Sequence, residues 1–275
     1  MEQNIFTYHL GEFEVDMLVE NRGQGGTAIL LDADPALVKR YIPSGTYESQ
    51  VNVFLVRAKG KNILVDTGFG GAIMQLMGSL GVGADDVDAI LITHMHGDHI
   101  MGLQREGKAL FPKAQVFLSE QEKNFWLNTN TAGGAEAASA ALEPYGSRVS
   151  VFSPVELAAD FPKNTKNSEL LPGIIPIAAF GHTPGHTIYQ VESGGARILI
   201  TGDMVHAQDI QFPVPGISVT YDTDPAAAAA SRGEILRYAA ANSIPIGGMH
   251  LVYPAVGTVT PQNGGYRFIP SLSTD

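Results

Sequence analysis

Short apolar runs recur along the chain with polar or glycine-containing turns between them: Val51–Val56, Asn62–Val65, Ala89–Ile92, Gln115–Leu118, Ile174–Ala179, Thr187–Val191, Ile198–Ile200 and Ile244–Met249. Several alternate or are rich in β-branched residues, which predicts strands with at least one buried face. Between them lie segments with helical spacing: Gly71–Leu80, Glu120–Leu127, an alanine-rich Ala135–Leu142, and Asp224–Ala241. The last is opened by Asp222-Thr223-Asp224-Pro225, a start signal that joins an aspartate cap to a proline in the first turn. Strands and helices thus intermingle and no intervening stretch reads as a linker, so residues 1–275 are expected to form one structural domain.

Two segments echo each other. Asn52–Gly68 reads NVFLVRAKGKNILVDTG, and Thr187–Gly202 reads TIYQVESGGARILITG with Asp203 next in the chain. Each is strand, polar turn, strand, then glycine beside or near an aspartate. This pattern predicts two related β-rich halves whose sheets face each other with helices outside.

Composition narrows the function classes. Hydrophobic residues make up 44% of the chain and charged residues 16%, the balance of a packed globular protein. The net charge of −11 repels phosphate backbones and anionic lipid, so neither nucleic acid nor a membrane surface is expected as a partner. A small, neutral or weakly polar substrate suits this charge better. The absence of cysteine removes disulfides, thiolate metal sites and a cysteine nucleophile. The first twenty residues hold five acidic side chains and no long apolar run, so no secretory signal is read there and a cytoplasmic location is expected.

The strongest local signal is Thr93-His94-Met95-His96-Gly97-Asp98-His99, directly after the strand-like Ala89–Ile92. If the chain stays extended through His96, residues two apart share a side, and His94 and His96 can aim at one cation. A sharp turn at Gly97 would then send Asp98 and His99 toward a second cation beside it. Imidazole and carboxylate are both ordinary zinc ligands. Further donors must come from distant sequence. His186 lies in Gly181-His182-Thr183-Pro184-Gly185-His186, a turn entering a strand, while Asp203 and His250 each end an apolar run.

HMHGDH at 94–99, GHTPGH at 181–186, TGD at 201–203 and the late strand-end His250 together resemble the metallo-β-lactamase superfamily. The resemblance implies an αββα sandwich. It also implies one divalent cation on His94, His96 and His186, a second on Asp98, His99 and His250, and Asp203 bridging both. Asp66 matches a position that supports the metal loop without touching the cation. His182 is expected to shape its turn or line the rim. His206 is expected to support Asp203 or lie at the surface, with a pocket-facing position also open. Zinc is the first choice for such ligands, with manganese, iron and cobalt compatible.

Paired cations can share a water and lower its pKa, giving a hydroxide nucleophile without serine or cysteine. Asp98 and Asp203 are the candidate catalytic carboxylates, Asp98 as a proton carrier to the leaving group. The C-terminal half resembles the methyl parathion hydrolase and lactonase branch. That resemblance implies carboxylic ester or lactone hydrolysis, with phosphotriester hydrolysis as a side activity, and admits a homodimer. A β-lactamase or a glyoxalase-type thioesterase would use the same site, and a non-catalytic small-ligand sensor would retain it. Phe125 and Trp126 read equally as a substrate wall or as core packing.

Overall fold

The computed structural model describes residues 3–129, 134–157 and 168–271. An antiparallel meander opens the first sheet: β1 (Ile5–Leu10), β2 (Phe13–Gly26), β3 (Thr46–Ala58) and β4 (Lys61–Val65), with α1 (Pro35–Tyr41) between β2 and β3. Helix α2 (Ile73–Ser79) crosses to β5 (Val87–Leu91), which pairs parallel with β4. One turn of helix, α3 (Gly97–Ile100), and a small hairpin of β6 (Gln104–Arg105) and β7 (Lys108–Ala109) follow. Strand β8 (Gln115–Ser119), α4 (Glu120–Asn124), α5 (Gly134–Leu142) and β9 (Val149–Phe152) complete this half. The spatial order of the sheet is β1-β2-β3-β4-β5-β8-β9.

The second sheet holds β10 (Ile174–Ala178), β11 (Thr187–Ser193), β12 (Ala196–Ile200), β13 (Ile246–Gly247), β14 (Val256–Gln262) and β15 (Gly265–Pro270) in sequence order. Helices α6 (Gln208–Gln211) and α7 (Pro225–Ala241) lie between β12 and β13. As the start signal predicts, Asp224 caps α7 by accepting the Ala227 N–H at 3.0 Å, and Pro225 opens the first turn.

Strand alternation assigns the layers. In β3, Phe54 and Val56 enter the core shared by the two sheets, while Val53 and Leu55 join the cluster under α2 and α5. Helix α7 lays Ile235, Leu236 and Ala239 against the second sheet. The result is the expected αββα sandwich of two mixed sheets. The two echoing hairpins are β3–β4 and β11–β12, one in each sheet. No helix among the described residues is long and apolar enough to cross a membrane.

Three expectations change. Of Ile244–Met249 only Ile246–Gly247 pairs as a strand, because the backbone there closes tightly on the first sheet. A Cβ on Gly247 would stand 2.7 Å from Phe54 Cε1. The segment Glu120–Leu127 is helical, but its regular turns end at Asn124 and a wide π-turn, Phe125–Thr129, continues it. Gly97 makes no sharp turn. It starts α3, with His96 extended at the cap position, so Asp98 and His99 occupy a helical first turn.

Candidate metal centre

Every expected site residue except His186 lies in one of two groups of ligand atoms that lie within 4.8 Å of one another. One is His94, His96, His182 and Asp203, the other Asp98, His99, Asp203 and His250. The first sheet supplies four of these from the segment after β5. The second supplies His182 before β11, Asp203 after β12 and His250 after β13. Nε2 of His94 is 2.9 Å from His96 Nδ1, and His182 Nε2 lies 3.2 Å from the former and 3.0 Å from the latter. In the second group, His99 Nε2 is 3.0 Å from Asp203 Oδ1, and His250 Nε2 is 3.0 Å from Asp203 Oδ2 and 3.5 Å from Asp98 Oδ2.

Three of these rings are oriented by an acceptor on their far nitrogen. His182 Nδ1 meets Asp222 Oδ1 at 2.8 Å, His99 Nδ1 meets Asp66 Oδ2 at 2.6 Å, and His250 Nδ1 meets the Gln50 carbonyl at 2.8 Å. A neutral ring that donates from Nδ1 presents a lone pair at Nε2, the form that binds a cation. His99 Nε2 and Asp203 Oδ1 are buried and, although 3.0 Å apart, have no hydrogen-bond partner of good geometry, so a divalent cation would satisfy both. The donor set therefore suits such an ion.

His186 is the correction. Its Nδ1 donates to the Ala179 carbonyl at 3.1 Å, but its Nε2 accepts the Asp203 backbone N–H at 3.1 Å, leaving no lone pair for a cation. His182 takes the place that the sequence assigned to His186. Gly202 has φ of 52°, and a Cβ there would stand 2.6 Å from His186 Nε2. His186 thus sets the backbone that aims Asp203.

The supporting carboxylates are buried. Asp66 accepts the Thr93 N–H and hydroxyl as well as facing His99, which fixes the start of the metal loop. Glu122, which sequence reasoning passed over, accepts four donors: Met95 N–H at 2.8 Å, Trp126 Nε1–H at 2.6 Å, Thr183 hydroxyl at 2.6 Å and Gly185 N–H at 3.0 Å. It ties the 94–99 segment to the 181–186 turn. Its signal was faint, one of two glutamates in the polar run Glu120–Asn124. Trp126 is consequently a packing residue, its ring edge-on to His96 at 5.5 Å, and neither it nor Phe125 borders the main cavity.

That cavity, of about 650 Å³, has His96, Asp98, Asp203, His206 and His250 at its floor and Tyr47, Phe69, Tyr221 and Ile29 among its walls. His206 reaches Asp203 Oδ2 at 3.1 Å and stacks on His250 at 4.8 Å. His206 is thus pocket-facing.

Burial holds His94 well below the ordinary imidazole range and takes His96 and His186 down to about 3 and His206 to about 4. Burial also opposes charge on His250 and His99, but the nearby carboxylates together outweigh it, Asp203 and Asp98 for both and Asp66 also for His99, raising His250 to about 9 and His99 well above its ordinary value. Burial alone would raise Asp203; the surrounding imidazoles, His250 foremost, instead hold it far below the usual carboxylate range.

The family model of the metallo-beta-lactamase superfamily matches residues 46–242. The chain belongs to this superfamily. Ribonuclease Z of Mycobacterium bovis (strain BCG / Pasteur 1173P2) is 29% identical over 185 residues, 62% of each chain. Ribonuclease Z of Mycolicibacterium gilvum is 49% identical over only 49 residues, 18% of this chain and 16% of that one. The chain therefore spans less than two thirds of the length of these superfamily relatives. Among solved structures, the hydrolase AbOPH of the beta lactamase superfamily is similar over 100% of both chains, at 27% identity and a TM-score of 0.88. AidC, a dizinc quorum-quenching lactonase, shares the fold over 99% of both chains at 24% identity and a TM-score of 0.88. The superfamily membership and the candidate metal-binding His and Asp groups thus point to the same site.

Proposed function

We propose that this protein hydrolyses carboxylic esters or lactones at a centre of two divalent cations, zinc by ligand type, with phosphotriesters as side substrates. The observation that carries the reading is Asp203, shared by two ligand groups at the floor of a cavity whose walls include Tyr47, Phe69 and Tyr221 and a single cationic side chain, Arg22. Cations held there supply Lewis-acid polarisation of the scissile carbonyl and a water of lowered pKa. The protein's own groups do the rest. Asp98, partly exposed on the floor beside His250, is placed to receive a proton and pass it to a departing alkoxide. Tyr47, Phe69 and Tyr221 bracket the apolar part of the substrate and keep water from it.

Ribonuclease activity is the second reading, because the curated relatives carry that name. The chain's net charge of −11 weighs against it, as does a cavity lining with Arg22 as its one lysine or arginine among the described residues. The deciding experiment combines elemental analysis with a screen of a lactone, an aryl ester, a phosphotriester, nitrocefin, lactoylglutathione and labelled RNA. Close to two metals per chain, with lactone or ester turnover abolished by a chelator and by Asp203→Ala, is the expected result. RNA cleavage without ester or lactone turnover overturns it.

A further inference from the structure

We propose that Asp222 and Arg232 are positioning residues for the metal centre, Asp222 for one of its halves and Arg232 for both, an inference that rests on the two-cation reading above. Asp222 lies on the loop before α7 and grips His182 through both ring and backbone. Its Oδ1 accepts the His182 Nδ1–H at 2.8 Å, its Oδ2 accepts the Val219 N–H at 2.9 Å, and the next two residues donate backbone N–H groups to the carbonyls of His182 and Gly181. This locks His182 Nε2 toward His94, His96 and Asp203. Asp222 makes no contact of this kind with Asp98, His99 or His250, so its grip belongs to one ligand group alone.

Arg232, on α7, is 1% exposed, and its guanidinium reaches the segments on both sides of α6. Nε donates to the Met204 carbonyl at 2.7 Å, Nη1 donates to those of Pro215 and Ile217 at 2.7 Å and 2.9 Å, and Nη2 lies 3.8 Å from Asp222 Oδ2. Met204 follows Asp203, the residue common to both ligand groups. A small cavity is lined by His182, Asp203, Asp222 and Arg232 together, so the four share one packing unit. Arg232 therefore supports both halves, through Met204 for Asp203 and through Asp222 for His182.

The test is stepwise zinc titration of the metal-stripped full chain against a chromophoric chelator, with His182→Ala identifying the step that belongs to its group. Asp222→Ala and Asp222→Asn should weaken that step by roughly 10–100-fold and leave the other within a few-fold. Arg232→Met should weaken both, and Arg232→Lys, which keeps the charge but loses the planar fork, serves should the former fail to fold. Melting of the metal-free proteins is recorded alongside, since a merely structural role lowers the melting temperature without changing either zinc affinity. Unchanged zinc steps in both Asp222 variants overturn the proposal. A wild-type protein that takes up a single zinc overturns the two-cation reading instead, and the Asp222 variants then show whether that zinc depends on this residue.

Discussion

Two histidines four residues apart in one turn have opposite fates, and the difference lies in what each ring's second nitrogen meets. His182 and His186 both donate from Nδ1, but His182 Nε2 opens onto the ligand cluster while His186 Nε2 is spent on a backbone N–H. His182→Ala should therefore cost one equivalent of bound zinc by elemental analysis. His186→Ala should keep the ligands and lose activity and thermal stability through the displaced Gly202–Asp203 backbone. Equal metal loss in the two variants would return His186 to the ligand set. The other expected ligands were legible because they sit together or at the ends of apolar runs. The choice between these two was not, because it depends on the Asp203 backbone N–H that meets His186 Nε2, a contact that spacing cannot reveal. The same rings set a pH dependence for the metal-free protein. His250 is raised from 6.5 to about 9, so its contribution to stability is full below about pH 6.5 and is lost as the pH rises through 9. His96, His186 and His206 are lowered to about 3 to 4, so stability also falls as the pH drops from 6.5 toward those values. Melting of stripped protein should peak near pH 6.5, and zinc loading should flatten the alkaline limb because the ion takes the place of the protons.

Among the elements, α4 joins two loops of the candidate site. Through Glu122, five helical residues hold the loop after β5 and the turn before β11 in register. Glu122→Leu strands buried donors that each cost ~1–3 kcal/mol, so a loss of at least about 3 kcal/mol is expected in denaturant melts. Glu122→Gln should cost less: where its NH₂ replaces Oε2, the Thr183 hydroxyl can turn to accept, though the Gly185 N–H cannot. Equal stability of Glu122→Leu and wild type would show that the two loops hold themselves. The strands visible in the sequence, such as β3 and β12, are those buried on both faces, where nearly every position must be apolar. The edge elements β1 and β15 and the outer half of β2, with its Asn21–Gly26 stretch, were not visible, since solvent on one side relaxes the pattern. The outer part of β2 is nonetheless functional ground, because Gly23, Gly25 and Gly26 form one wall of the cavity.

At the scale of the molecule, each sheet carries an incomplete set of ligands. His94, His96, Asp98 and His99 belong to the first, and His182, Asp203 and His250 to the second. The echo between the β3–β4 and β11–β12 hairpins places an aspartate at a comparable point in each, Asp66 as the support of a ligand and Asp203 as the shared donor. Neither sheet can assemble one of the two groups alone, since Asp203 enters both. High-affinity uptake of the ion must then wait until the halves have docked. On the proposed two-cation reading, capture of metal is in this sense a checkpoint on folding, and a half-assembled chain should compete poorly for an ion that a finished one retains.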